Sequence, residues 1–189
     1  MNNNKTDFLK GQCLVASPCM NDERFQNTVI YVCEHSKDGA MGFVINQRIT
    51  EFSFMDLAMQ LPINFGTRLP PISLYQGGPV DKVRGFVLHS TDYSRGDCIQ
   101  TGGGIAISAS IDILSDIAKG CGPQQKIIAL GYASWEPWQL EKELIASDWL
   151  VVPATSELVF QTKDEDKWTQ ALKSLNIEPV CLSRFSGRA

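Results

Sequence analysis

Five consecutive residues, Val29-Ile30-Tyr31-Val32-Cys33, carry no polar side chain between them. A strand with one wet face alternates apolar and polar residues, because successive side chains point to opposite faces. An unbroken, β-branched run of this length therefore belongs to a strand covered on both faces, as in a sheet layered with helices. The run lies within a strand expected at 28–33. Further short apolar runs bounded by turn residues predict strands at 13–16, 42–45, 72–75, 85–89, 105–109, 126–130 and 150–152.

Helical periodicity occupies the gaps. Phe54, Leu57, Ala58 and Leu61 follow the i, i+3, i+4, i+7 spacing of one helical face. Ser53 and Asp56 have the spacing of a capping box, and Pro62 ends the pattern. A second helix is predicted after Ser110, through Ile111, Leu114, Ile117 and Ala118, with exit at Gly120. A third is predicted over 137–147. A fourth carries Trp168, Ala171, Leu172 and Leu175, with Thr162 and Glu165 spaced as a capping box. Strands and helices mix without strict alternation. The expected class is α/β (α+β): a mixed β-sheet with flanking helices, as a layered sandwich or partly barrel-like. No linker divides the 189 residues, so one domain is expected over 1–189, with 1–9 flexible and 180–189 a tail.

Charge bears on partners. Seventeen Lys and Arg against 21 Asp and Glu give a net charge of −4, and the basic residues are scattered. Phosphate backbones are gripped by clustered cations, so direct nucleic-acid binding is disfavoured. The polar N-terminal residues carry no signal-peptide core, and no apolar run reaches the ~20 residues of a membrane-spanning helix. The expected location is the cytoplasm, with no membrane association. The six cysteines, Cys13, Cys19, Cys33, Cys98, Cys121 and Cys181, include no CxxC pair. They read as free thiols acting as small hydrophobes rather than as metal ligands or disulfides.

Several stretches could carry a site. The two glycines of Gln76-Gly77-Gly78-Pro79-Val80 permit an anion-binding nest of backbone N–H groups, or simply a tight turn. Thr101-Gly102-Gly103-Gly104 lacks the Lys and Ser/Thr of a phosphate loop. The histidines are His35 and His89. His35 follows Glu34 without completing an HExxH zinc motif, and His89 ends a predicted strand, where acid–base groups are often placed. Ser134, in Gly131-Tyr132-Ala133-Ser134-Trp135, is one position late for a nucleophile elbow and reads as a helix N-cap. Gln139 and Glu143, four apart, share one helix face. Trp135, Trp138 and Trp149 read as core or interface anchors. Asp22, Glu23 and Phe25 read as a solvated loop. No catalytic set, metal site or cofactor motif is complete.

Taken in order, LKGQCLVASPCMNDERFQNTVIYVCEHSKDGAMGFVINQ, then YQGGPV and GFVLHS, then GYASWEPWQLEKELIASDWLVVPA and LVF, resemble the YqgE/AlgH family over roughly residues 10–160. The resemblance implies a bacterial cytosolic protein with a mixed α/β fold. It assigns no biochemical activity; one branch bears the label of transcriptional regulator. The sequence departs from the family pattern at Ser134 and Trp138, where many relatives have glycine. These readings favour a non-enzymatic regulatory protein, or one binding a small ligand or protein partner, through Gln76, Gly77, Gly78, Pro79, His89, Gln139 and Glu143. The alternatives are an enzyme using His89 or His35, and a transcriptional regulator acting on DNA directly or indirectly.

Overall fold

The computed structural model describes residues 9–63 and 71–179. Among these residues ten strands form a curled, largely antiparallel half-barrel. They are β1 (Gln12–Ala16), β2 (Val29–Ser36), β3 (Gly39–Val44), β4 (Arg48–Ile49), β5 (Leu74–Gln76), β6 (Val80–Ser90), β7 (Cys98–Gly102), β8 (Ile105–Ser108), β9 (Lys126–Trp135) and β10 (Trp149–Pro153). The main path runs β10-β1-β2-β3-β9-β6-β8-β7, and β4 pairs with β5, which runs parallel to β9. That parallel pair makes the sheet mixed, as expected. The helices are α1 (Phe54–Gln60), α2 (Ile111–Ala118), α3 (Gln139–Ile145) and α4 (Asp164–Ser174), with a π-helical turn at Glu157–Gln161.

The unbroken apolar run of β2 does what its composition requires. Val29, Tyr31 and Cys33 enter one core with Phe43, Phe86, Leu158 and Leu172. Ile30 and Val32 enter a second core on the opposite face, with Trp135, Leu140 and Trp149. Each such side chain contributes about 1.5–3 kcal/mol on full burial, so neither face tolerates a polar residue. A third cluster joins α1 and α2 to the sheet through Phe54, Ile113, Ile117, Val87 and Ile128.

Local signals explain some boundaries and miss others. Ser53 and Asp56 form the expected capping box on α1. The box expected at Thr162 and Glu165 does not form. Lys163 is the N-cap of α4 without a side-chain bond, and the Thr162 hydroxyl donates to the Glu157 carbonyl of the π-helical turn instead. Strands β4 and β7 fall outside the expected runs. Strand β9 continues past its expected end through Ser134 to Trp135, so Ser134 is an exposed strand residue and not an N-cap. Helix α3 begins at Gln139 after Trp138. Cys13, Cys33, Cys98 and Cys121 are free thiols, whereas Cys19 is disulfide-bonded, contrary to the expectation of free thiols throughout. The expectations for 1–8 and 180–189 lie outside the described residues. Leu9 is tied in, its N–H donating to His35 Nδ1 at 3.1 Å.

Helix α4 is pinned to the half-barrel by polar contacts that its periodicity does not show. Lys167 is buried, and its ammonium donates to the Ile45 carbonyl at 2.7 Å and to Asp164 Oδ1 at 2.8 Å. Asp164 also accepts from the Tyr75 hydroxyl and the Arg48 guanidinium. The Trp168 indole donates to the Ala16 carbonyl at 2.7 Å.

Candidate functional site

The long strand β9 creates the site by changing neighbours. Its first half lies between β5 and β6, while Ala133, Ser134 and Trp135 pair with β3. Gly131, at φ +73°, makes the change of direction. Gly77 stitches the seam: its N–H donates to the Leu130 carbonyl, and its own carbonyl accepts from Val44 N–H, both at 2.8 Å. A Cβ on Gly77 would overlap the Gly131 carbonyl, and one on Gly78 would overlap the Tyr132–Ala133 backbone. The glycine pair is thus a close backbone crossing, neither a hairpin-like tight turn nor an open nest, since the Gly77 donor is already used.

Beyond the seam, Pro79 and Val80 form one wall of a pocket of about 410 Å³. Ala133, Ser134 and Trp135 of β9 form its floor, Gln139 and Glu143 of α3 another wall, and Asp148 and Trp149 a third. The loop before β2 closes it with Asp22, Arg24 and Phe25. Glu143 organises the pocket. Its Oε2 accepts the indole N–H groups of both Trp135 and Trp149, each at 2.8 Å. Its Oε1 accepts from the Gln139 amide at 2.8 Å, and Gln139 Oε1 accepts from Glu136 N–H at 3.0 Å. The two indoles meet edge to face, with centroids 6.1 Å apart, and Phe25 meets Trp149 likewise at 5.6 Å. At the mouth the Arg24 guanidinium holds Asp22 by a bidentate pair, which keeps that carboxyl below its usual range. The sequence reading of 22–25 as a solvated loop missed this role.

The structure therefore brings together Pro79, Gln139 and Glu143 and separates them from the other candidates. Gln76 faces a different surface, with Arg48 and Lys82. His89 lies inside the sheet rather than on a strand-end loop: it is 0 % exposed, with Nε2 3.0 Å from Ser108 Oγ and Nδ1 2.9 Å from the Ser90 carbonyl. His35 accepts from Leu9 N–H at Nδ1 and faces Glu141 across 3.0 Å at Nε2, joining β2 to α3. Trp138 is not a core anchor. It is 62 % exposed and sits at φ +66°, in the region that favours glycine. The positive φ accounts for the glycine that the family resemblance implies here without any ligand contact, and nothing in the structure explains the tryptophan. Among the described residues, no group of three or more His, Cys, Asp and Glu side chains is placed to hold a metal ion. No helix there is long and apolar enough to cross a membrane.

Residues 13–180 match the family described as AlgH-like. The chain belongs to that family. A UPF0301 protein of Rhodospirillum rubrum is 46% identical over 182 residues, covering 96% of this chain and 95% of its own. Another, from Azorhizobium caulinodans, is 45% identical over 191 residues, with 97% and 93% covered. The solution structure of the AlgH protein from Pseudomonas aeruginosa superposes with a TM-score of 0.76 at 37% identity, covering 100% of both chains. A crystal structure of a Corynebacterium diphtheriae protein shares the fold, with a TM-score of 0.71 at 23% identity over 92% of this chain and 90% of its own. AlgH-like membership accounts for the fold and for the ordered motifs, and it carries no assigned reaction.

Proposed function

We propose that this AlgH-like protein is a non-enzymatic binding protein whose β9–α3 pocket takes a small organic cation, such as a primary amine or quaternary ammonium compound. One observation carries the reading: Asp22, Glu143 and Asp148 line a pocket whose cationic side chain, Arg24, is already engaged by Asp22. Three aromatic side chains, Phe25, Trp135 and Trp149, line the same space. Carboxylates beside aromatic rings suit a cation that is partly desolvated, through charge pairing and cation–π attraction. Pockets of this size, with a few convergent polar groups on an apolar frame, are typical of small-ligand sites.

The test is calorimetric titration with choline, agmatine and the uncharged carbon isostere of choline. Binding of either cation, no binding of the isostere, and loss of binding in Asp148→Asn with an unchanged melting temperature are expected. Equal binding of the neutral isostere, or no heat from either cation, refutes the proposal.

A further inference from the structure

A second arrangement lies where β6, β7 and β8 meet and shares no residue with the pocket. His89 ends its hydrogen-bond options at Nδ1, where the Ser90 carbonyl, an acceptor only, stands 2.9 Å away. The Nδ1 proton is therefore fixed, and Nε2 of the neutral ring carries the lone pair. Burial holds the imidazole pKa below its usual value, against the smaller opposing effects of the Ser90 carbonyl and Asp92, so the neutral ring prevails at pH 7. Nε2 faces two X–H groups, Ser108 Oγ at 3.0 Å and Cys98 Sγ at 3.7 Å. Cys98 and Ser108 sit directly opposite each other across β7 and β8, so sheet register sets this convergence. Tyr93 stacks edge to face on the imidazole at 5.6 Å and fixes the ring plane.

The other free thiols lack these features. Cys13 and Cys33 are buried, and burial pushes both up to about 12. Cys121 is exposed, with the Lys119 carbonyl as its contact. Cys98 is partly exposed and adjoins a base.

We propose that Cys98 and His89 form a thiol–imidazole pair that makes Cys98 a site of covalent addition for small α,β-unsaturated carbonyl compounds. A nucleophile, a base within reach and a third group orienting that base are the general elements of an activated thiol. In the addition, the Cys98 thiol proton passes to His89 Nε2 while the sulfur forms a bond to the β-carbon. The carbon–carbon π pair becomes the enolate, and the imidazolium proton is returned to the α-carbon. Nothing is oxidised or reduced and no group leaves. Conjugate addition needs a soft nucleophile and a proton carrier, which are the two groups present. Acyl transfer would further require donors aimed at an oxyanion, and disulfide exchange a second thiol. Ser108 competes for the same lone pair and restrains the pair.

The probe is acrylamide, applied at pH 7 to the folded full chain, with adduct formation followed peptide by peptide by mass spectrometry. Base assistance typically contributes 10²–10⁴-fold in rate, and partial burial of the sulfur offsets part of it, so Cys98 should react about tenfold faster than the exposed Cys121. Ser108→Ala frees Nε2 and should raise the Cys98 rate, leaving Cys121 unchanged. His89→Gln should bring Cys98 to or below the Cys121 rate. If His89→Gln does not fold, the wild-type ratio and Ser108→Ala decide. A Cys98 rate no greater than that of Cys121, or one that Ser108→Ala does not raise, overturns the proposal.

Discussion

Replacing Glu143 by Gln keeps the shape of the side chain and removes only its charge and one acceptor. In the native pocket three donors converge on this carboxylate, two indole N–H groups and the Gln139 amide, all at 2.8 Å. Trp135 is 6 % exposed and Trp149 3 %, so neither indole has ready access to water. The Gln oxygen can still accept both indoles, but as a neutral acceptor, and bonds to a charged group are roughly twice as strong. The new amide N–H₂ then faces the Gln139 amide, donor against donor. Flipping Gln139 moves the conflict to Glu136 N–H, which Gln139 Oε1 now accepts. One donor is left over in either arrangement, and because Glu136 is exposed and open to water the cost stays at the low end of about 1–3 kcal/mol. With the weaker indole bonds the total is about 2 kcal/mol, which for a chain of this length lowers the melting temperature by roughly 4–8 °C. Thermal unfolding followed by circular dichroism measures it, with tryptophan emission reporting the loosened indoles. A melting temperature within 1 °C of the parent would refute the claim that Glu143 clamps the pocket.

Trp138→Gly relieves a left-handed backbone costing about 1–2 kcal/mol, less about 0.5–1 kcal/mol for the freer unfolded chain; a rise in melting temperature of roughly 1–4 °C is expected, and a fall would show that the exposed ring carries hidden packing. Asp164→Ala strands the buried Lys167 ammonium and should cost about 3–5 kcal/mol in urea denaturation, whereas Asp164→Leu with Lys167→Met should recover most of it; failure of the double variant to recover would place the loss in packing rather than charge. Burial lowers the His89 pKa, so the unfolded chain binds the proton more readily. Stability should therefore fall as pH drops from 7 through the unfolded value of about 6.5, and His89→Gln should flatten that decline; equal slopes in both proteins would refute the assignment. Duplex DNA should show no gel shift at low salt, as the net charge of −4 with dispersed cations requires, and a complex that weakens steeply with salt would overturn this.

What the sequence made legible was set by local physics. The unbroken run 29–33 implied a strand between two layers, and its alternate residues do enter two cores. Ser53 and Asp56 lie within one turn of chain, and the cap formed as written. The errors arose where a contact outside the helical pattern won over it. Thr162 had the spacing for a cap on α4, but a π-helical turn placed the Glu157 carbonyl within its reach. The periodicity of α4 says nothing of Lys167, which is buried because Asp164, one turn earlier on the same helix, and Tyr75 and the Ile45 carbonyl from elsewhere in the fold all meet it.

The pocket was half legible for the same reason. The spacing of Gln139 and Glu143 predicts a shared face, and the structure supplies what that face meets: two indoles from β9 and from the start of β10. Trp135 reaches Glu143 because β9 runs past Leu130, and it can do so because Gly131 takes a positive φ and Gly77 fills the seam without a side chain. Read locally, Gly131 marks the end of a strand; in the fold it is where the strand changes neighbours and continues. The two glycine segments that resemble loop motifs in the sequence therefore act at one point in space, and their function is to let β9 carry Ser134 and Trp135 into the pocket. A side chain at Gly77 or Gly78 would push β9 away from β3 and dismantle the pocket floor, although neither glycine lines it.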